Sequence, residues 1–338
     1  MKNFWEKIKK PILAMAPMAG YTNSAFRQIC KKYGADVVYS EMASAVALNY
    51  GGKKTIELLK FQKSERPYVV QLFGNEAKYF CGAAKVVSEK IKPDGIDINM
   101  GCPAKKVFSN GSGAALMNNI TAAREIIKET LKGTKLPVSI KIRSKVGNVT
   151  AYKFIKSIKD LPISAIMIHG RSLSQGFAGE IDYNQIKKVK SLYKKIDKEK
   201  KELSSEASEL SSFFSSATPI ILANGGINTP EDAKIMLSKT VADGIGIARG
   251  ALAKPWLFSQ IRKYLEEGKY EEFNLSEIKK AALWHAKMSY KTGGNHGIVE
   301  MRKYLLWYFR GFENAKEARR ELSLVENIKD IKKALERI

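Results

Sequence analysis

Eight short apolar runs recur through the first 250 residues, and they restrict the fold more than any other feature. They are Ile12–Ala16, Val37–Glu41, Tyr68–Leu72, Gly95–Asn99, Val138–Ile142, Ala165–His169, Ile220–Ala223 and Gly244–Ala248, each four or five residues long. A near-continuous apolar run reads as a strand buried on both faces, as parallel sheets require. Polar or Gly-rich loops and helical patterns separate the runs. In Asn75–Lys90, for instance, Ala77, Phe80, Cys81, Ala84 and Val87 recur at helical steps with lysines opposite. Thr121–Leu131 reads as a second helix, with Thr121 as its expected N-cap. Eight strand–helix units in about 250 residues point to an α/β chain closed as a (β/α)8 TIM barrel, rather than to an open doubly wound sheet.

The rhythm breaks twice. Lys190–Ala217 holds eight serines and a mixed-charge run where a barrel needs only a short helix and loop. Ile196, Leu203, Ala207, Leu210 and Phe214 keep helical spacing, so the segment reads as an extended amphipathic helix or flexible insertion, with disorder as the competing reading. After Pro255 the pattern becomes purely helical. Ile278, Ala281, Ala282, His285 and Met288 form one stripe; Ile298, Met301, Leu305, Tyr308 and Phe312 a second; Ile328, Ile331 and Leu335 a third. The expected organisation is a barrel domain over 1–255, with the insertion at about 190–217, followed by a small helical bundle over 256–338.

Charge narrows the partner class. The net charge is +24, with 58 basic and 34 acidic residues, which favours nucleic acid or another polyanion. The excess is diffuse, since residues 256–338 contribute 17 basic against 12 acidic side chains. The three cysteines, Cys30, Cys81 and Cys102, are widely spaced, which excludes a disulfide framework and a Cys-rich zinc site. The three histidines show no metal-ligand spacing, so no metal is expected. No stretch approaches the roughly 18 apolar residues of a membrane span. A cytoplasmic monomer that does not meet membranes is the resulting expectation.

In a barrel of this kind the residues ending the strands converge on one site. Run one ends Ala16-Pro17-Met18, an apolar floor suited to a flat ring. Run three carries Gln71, an amide able to donate and accept. Run four delivers Asn99 and, past Gly101, Cys102 on a loop followed by Pro103, Lys105 and Lys106. A thiol there can give a proton to a bound molecule, and the two lysines suit an anionic one. Run five brings Lys141, and run six His169-Gly170-Arg171. Runs seven and eight end Asn224-Gly225-Gly226 and Ala248-Arg249-Gly250, glycine-rich loops at the usual phosphate cradle of the fold. Together these suggest a phosphorylated planar cofactor, most simply FMN, with Lys141 as the cation that supports its reduced form. No GxGxxG follows a strand, and neither a GxSxG nor a Walker run occurs.

Pro17-Met18, Gln71, Asn99-Met100-Gly101-Cys102-Pro103, Lys141, His169-Gly170-Arg171, Asn224-Gly225 and Ala248-Arg249-Gly250 fall in an order that resembles the tRNA-dihydrouridine synthases. The likeness covers nearly the whole chain, including Glu300-Met301-Arg302-Lys303 in the helical tail, and is closest to the bacterial B branch. It departs at Ala248, where Gly is usual, and at the 190–217 segment, which the family does not explain. The resemblance implies FMN bound by Pro17, Met18, Gln71, Lys141, His169, Asn224, Gly225, Gly226, Ala248 and Arg249. It implies NADPH as reductant, tRNA as partner, and reduction of a uridine C5–C6 bond with Cys102 as proton donor. Asn99, Arg171, Lys105, Lys106, Arg302 and Lys303 are the expected tRNA contacts, and His169 is expected to help Asn99 hold an extruded base. Two rivals stand beside this reading: a small-molecule flavoenzyme similar to dihydroorotate dehydrogenases, and a tRNA-binding protein that has lost catalysis.

Overall fold

The computed structural model describes residues 3–206, 218–311 and 315–337. Eight parallel strands close into a barrel in chain order: β1 (Ile12–Met15), β2 (Val37–Ser44), β3 (Tyr68–Phe73), β4 (Gly95–Met100), β5 (Val138–Arg143), β6 (Ala165–His169), β7 (Ile220–Asn224) and β8 (Gly244–Ile247), with β8 returning to β1. All eight fall on the apolar runs of the sequence. A short antiparallel hairpin, Lys145–Val146 with Val149–Thr150, follows β5 and lies outside the barrel.

Alternation explains why both faces are apolar. Leu13, Met15, Val70, Ile98, Ile140, Ile168 and Ile247 point outward into the layer of helices. Ile12, Ala14, Tyr39, Val69, Met167 and Leu222 point inward and fill the barrel. A 3-10 turn, Phe4–Lys7, closes the bottom by inserting Trp5 among these inner residues. Gly244 and Gly246 on β8 make room in the tapered interior: a Cβ on Gly246 would lie 2.7 Å from Met167 Sδ. Burying each large aliphatic side chain contributes about 1.5–3 kcal/mol, so this double-sided core dominates stability.

Two expectations change. The helix expected over Thr121–Leu131 runs Ile120–Lys132, and its N-cap is Asn119, whose side chain accepts from Ala122 N. Asn119 reaches the first free N–H groups from a non-helical position, and Thr121 already lies inside the first turn. The helix after β6 runs Tyr183–Glu206, burying Ile186, Val189 and Tyr193. The 190–217 segment thus begins as the continuation of an ordinary barrel helix; 207–217, with Ala207, Leu210 and Phe214, lies outside the described residues. The helix Leu257–Glu267 packs on the barrel helix Pro230–Thr240, and its Arg262 bonds Asp36 at 2.7 Å and the Pro11 carbonyl at 3.1 Å. It therefore lies against the helix layer of the barrel.

Beyond it, Leu275–Tyr308 is a helical hairpin that reverses at Gly294 (φ 58, ψ −143). Its arms carry the first two apolar stripes, with Phe312 beyond the described residues. The arms approach so closely at Gly297 that a Cβ there would lie 2.0 Å from the Ser289 carbonyl oxygen. His285 Nδ1 pairs with the Tyr308 hydroxyl at 2.8 Å across the arms, and burial, with Lys303 nearby, pushes its pKa down to about 3. This is a neutral histidine of the packed interface. The hairpin docks on the barrel through Tyr304, which stacks on Phe26 with ring centroids 5.3 Å apart and bonds the Tyr21 carbonyl.

Candidate active site

The C-terminal ends of the strands surround a cavity of about 510 Å³. Pro17, Met18, Gln71, Lys141, His169, Asn224, Gly225, Gly226, Ala248 and Arg249 all line it, as do Asn99, Cys102 and Arg171. Residues far apart in sequence meet there because each ends, or immediately follows, one strand of a closed ring.

Cys102 sits half-buried on the loop after β4. Its N–H donates to Asn99 Oδ1 at 2.9 Å, its carbonyl accepts from Ala114 N at 3.1 Å, and Arg143 Nε holds the neighbouring Gly101 carbonyl at 2.9 Å. Arg143 also donates to the Ser172 and Gly176 carbonyls, at 2.8 and 3.0 Å, so one buried guanidinium ties the cysteine loop to the loop after β6.

Lys141 Nζ donates to Asn224 Oδ1 at 3.2 Å, and Asn224 Nδ2 donates to the Gly246 carbonyl at 2.7 Å. Burial, together with Arg143, lowers the lysine to about pH 8, with Asp97 and Cys102 acting the other way. His169 is pushed down to about 2, first by burial and then by Lys141, Arg143, Arg171 and Arg249. It is therefore neutral, and its buried Nε2 has no protein partner. Burial lowers Arg171 as well, and Arg249 adds to the shift. Among the described residues no carboxylate lines the cavity. Four cations and no carboxylate lining one space make a site for an anion.

The backbone is shaped for close approach at the same end. Gly225 and Gly226 have φ of +112 and +69, and a Cβ on Gly225 would lie 2.9 Å from His169 Cδ2. Ala248, where the resemblance leads one to expect glycine, has φ −111 and ψ −104, outside the left-handed region. Glycines with room for a phosphate, an orphaned imidazole nitrogen, a cluster of cations and the apolar Met18 together fit a phosphorylated flavin. Among the described residues no group of three His, Cys, Asp or Glu side chains is placed to hold a metal, and no helix is long and apolar enough to cross a membrane.

The remaining expected contacts lie elsewhere. Lys105 and Lys106 stand exposed on a short helix, Lys105–Ser109, just past the cysteine loop. Arg302 donates to the Val325 and Leu324 carbonyls at 2.8 and 3.2 Å, and Lys303 donates to the Gly20 carbonyl. Both side chains clamp parts of the protein together.

Sequence reading missed Met42, Phe177 and Trp307, all of which line the cavity. Met42 follows a register shift between Tyr39 and Met42 in β2, which prolongs the strand beyond its expected end at Glu41. Phe177 is 55% exposed on the loop after β6, with the Arg249 guanidinium 4.7 Å from its ring centre. Trp307 comes from the helical tail, and only tertiary docking brings it to the mouth.

Comparison with known proteins agrees with this geometry. The family model for dihydrouridine synthase (Dus) matches residues 14–196 and 208–338. The chain is 33% identical over 318 residues to tRNA-dihydrouridine synthase B of Vibrio parahaemolyticus, covering 93% of this chain and 91% of that one. It is 29% identical over 335 residues to a probable tRNA-dihydrouridine synthase of Aquifex aeolicus, covering 97% and 96%. Among solved structures, histamine dehydrogenase from Rhizobium sp. 4-9 shares the fold, with a TM-score of 0.52 at 13% identity over 82% of this chain and 48% of that one. TcOYE with pHBA has a TM-score of 0.50 at 10% identity, over 78% and 91%. The chain belongs to the dihydrouridine synthase family, on the side of its bacterial B branch.

Proposed function

We propose that this protein is a flavin-dependent tRNA-dihydrouridine synthase, which reduces the C5–C6 bond of uridines in tRNA with FMN as cofactor and NADPH as reductant. The observation that carries the reading is the cavity in which Lys141, Arg143, Arg171 and Arg249, with no carboxylate in the lining among the described residues, face the loop of Cys102. A bound FMN would supply the hydride for uracil C6. Cys102 supplies the proton for C5. Lys141 places positive charge beside Asn224, where a reduced cofactor needs it. Gly225, Gly226, Arg171 and Arg249 form the anion end, and Pro17 and Met18 the apolar floor. Neutral His169 offers a ring nitrogen for hydrogen bonding without adding to the charge.

The barrel is the catalytic part, and the tail is the part that places tRNA over it. Trp307 brings an aromatic face from the tail to the rim, where an extruded base or its neighbour can stack. Lys105 and Lys106 lie free for phosphates beside the cysteine loop. A small-molecule flavoenzyme leaves Trp307 and the charge of +24 without a role. The test is to purify the protein, record its visible spectrum, and incubate it with NADPH and tRNA lacking dihydrouridine. Flavin absorbance and dihydrouridine in the nuclease-digested RNA are expected. A colourless protein that cannot be loaded with FMN, or one that leaves the tRNA unchanged, overturns the proposal.

A further inference from the structure

We propose that Asp97 is a positioning residue: acting through Gln71 and Asn99, it fixes the loop that carries Cys102. Its relevance to catalysis rests on the reaction proposed above. Gln71, Asp97 and Ser139 lie side by side in register on β3, β4 and β5. The Asp97 carboxylate is fully buried in a barrel layer otherwise filled by residues such as Ala14, Tyr39, Met167 and Leu222. An ionised group is costly there, so its hydrogen bonds must account for it. Oδ1 accepts from Ser139 Oγ at 2.6 Å, and Oδ2 accepts from Gln71 Nε2 at 2.7 Å. Gln71 Oε1 in turn accepts from Asn99 Nδ2 at 2.8 Å. Asn99 Oδ1 then accepts the N–H groups of Cys102 and Gly101, at 2.9 and 3.2 Å.

The direction of this chain follows from its buried end. A carboxylate only accepts, so Gln71 must turn its NH2 toward Asp97 and its oxygen toward Asn99. Asn99 must then turn its NH2 toward Gln71, which leaves its oxygen for the cysteine loop. Without the acceptor at position 97 both amides are free to reverse. A reversed Asn99 sets an NH2 against the Cys102 N–H, donor against donor. Burial raises Asp97 to about 6, with Ser139, Gln71 and Lys141 opposing, so at pH 7 it is mostly the carboxylate that the chain requires. Arg143 holds the carbonyl side of the same loop, and the Asp97 chain holds its N–H side.

The test reads the thiol directly. Asp97→Leu, Gln71→Met, Asn99→Ala and the Asp97→Leu/Asn99→Ala pair are treated with iodoacetamide in the absence of tRNA, and Cys102 labelling is followed by peptide mass spectrometry. Each single variant should label Cys102 about five- to tenfold faster than the unaltered protein, the scale of one lost net hydrogen bond. Asp97→Leu should add little on top of Asn99→Ala, because both break one chain. In dihydrouridine formation by Asp97→Leu, kcat should fall while KM for tRNA holds. Gln71→Met leaves Asp97 in place and tests the link if Asp97→Leu does not fold. In the unaltered protein the Gly101 and Cys102 amide protons should exchange slowly. Rapid exchange there, unchanged labelling in a folded variant, or a full Asp97 effect persisting in Asn99→Ala would each overturn the proposal. A wild type that makes no dihydrouridine overturns the reaction instead and leaves the labelling result standing.

Discussion

At the scale of single residues, Cys102 and Lys141 share a cavity and differ in what they are asked to do. Cys102 is held by its backbone, through Asn99 and Ala114, with its thiol left for chemistry. Cys102→Ala should therefore retain bound flavin and its reduction by NADPH, yet slow uridine reduction by about 10²–10⁴-fold, the usual range for loss of a general acid. Dihydrouridine formation at the wild-type rate would remove the thiol from the mechanism. Lys141 acts through charge, and its depressed pKa of about 8 gives the pH dependence a sign. Only the protonated lysine favours an anionic ligand, so FMN affinity should be flat below pH 8 and fall as the pH rises past it, by at most tenfold per unit. Lys141→Met should bind FMN more weakly and lose that step. Titrating FMN fluorescence against both proteins from pH 6 to 9 checks this, and an identical pH profile in the variant would leave Lys141 with a packing role only.

At the scale of elements, the loop after β7 shows how the fold prepares the site. Gly225 combines φ of +112 with a wall formed by His169 and Ile181, so any side chain is both strained and crowded. Gly225→Ala should leave the barrel folded and displace the His169 ring, weakening FMN retention on gel filtration. Retention equal to wild type would show that the ring yields without cost. The eight strands were legible because residues on both faces of a buried parallel strand are apolar, and the loop that ends each strand is marked by Gly or a polar residue. The cavity was legible to the same extent, since Gln71, Asn99, Lys141, His169 and Asn224 sit at or near strand ends. What stayed hidden depends on contacts that no local pattern encodes. Leu257–Glu267 looks like any tail helix until Arg262 meets Asp36, and Asn119 outcompetes Thr121 as a cap through backbone geometry alone. Asp97 sits in an alternation that reads equally well with its side chain idle.

At the scale of the whole molecule, the question is which part of the +24 charge meets RNA. Two pairs of basic residues were expected to do so, and the structure uses them differently. Lys105 and Lys106 project into solvent beside the cysteine loop. Arg302 and Lys303 are engaged by carbonyl groups of the tail and the barrel. Each lysine that neutralises a phosphate releases counterions, so tRNA affinity should fall with salt at a log–log slope of about 0.9 per duplex contact and about 0.7 per single-strand contact. The Lys105→Ala/Lys106→Ala pair should weaken tRNA binding and lower that slope by between one and two units, with the melting temperature unchanged. Arg302→Ala should do the reverse: it removes the donor to the Val325 and Leu324 carbonyls, lowering stability by about 0.5–1.5 kcal/mol while the slope holds. Binding isotherms at four salt concentrations, with a melting curve for each variant, separate the two roles. If Arg302→Ala lowers the slope as far as the lysine pair does, the arginine exchanges its carbonyls for phosphate when tRNA arrives, and the tail meets the RNA with the side chains that hold it together.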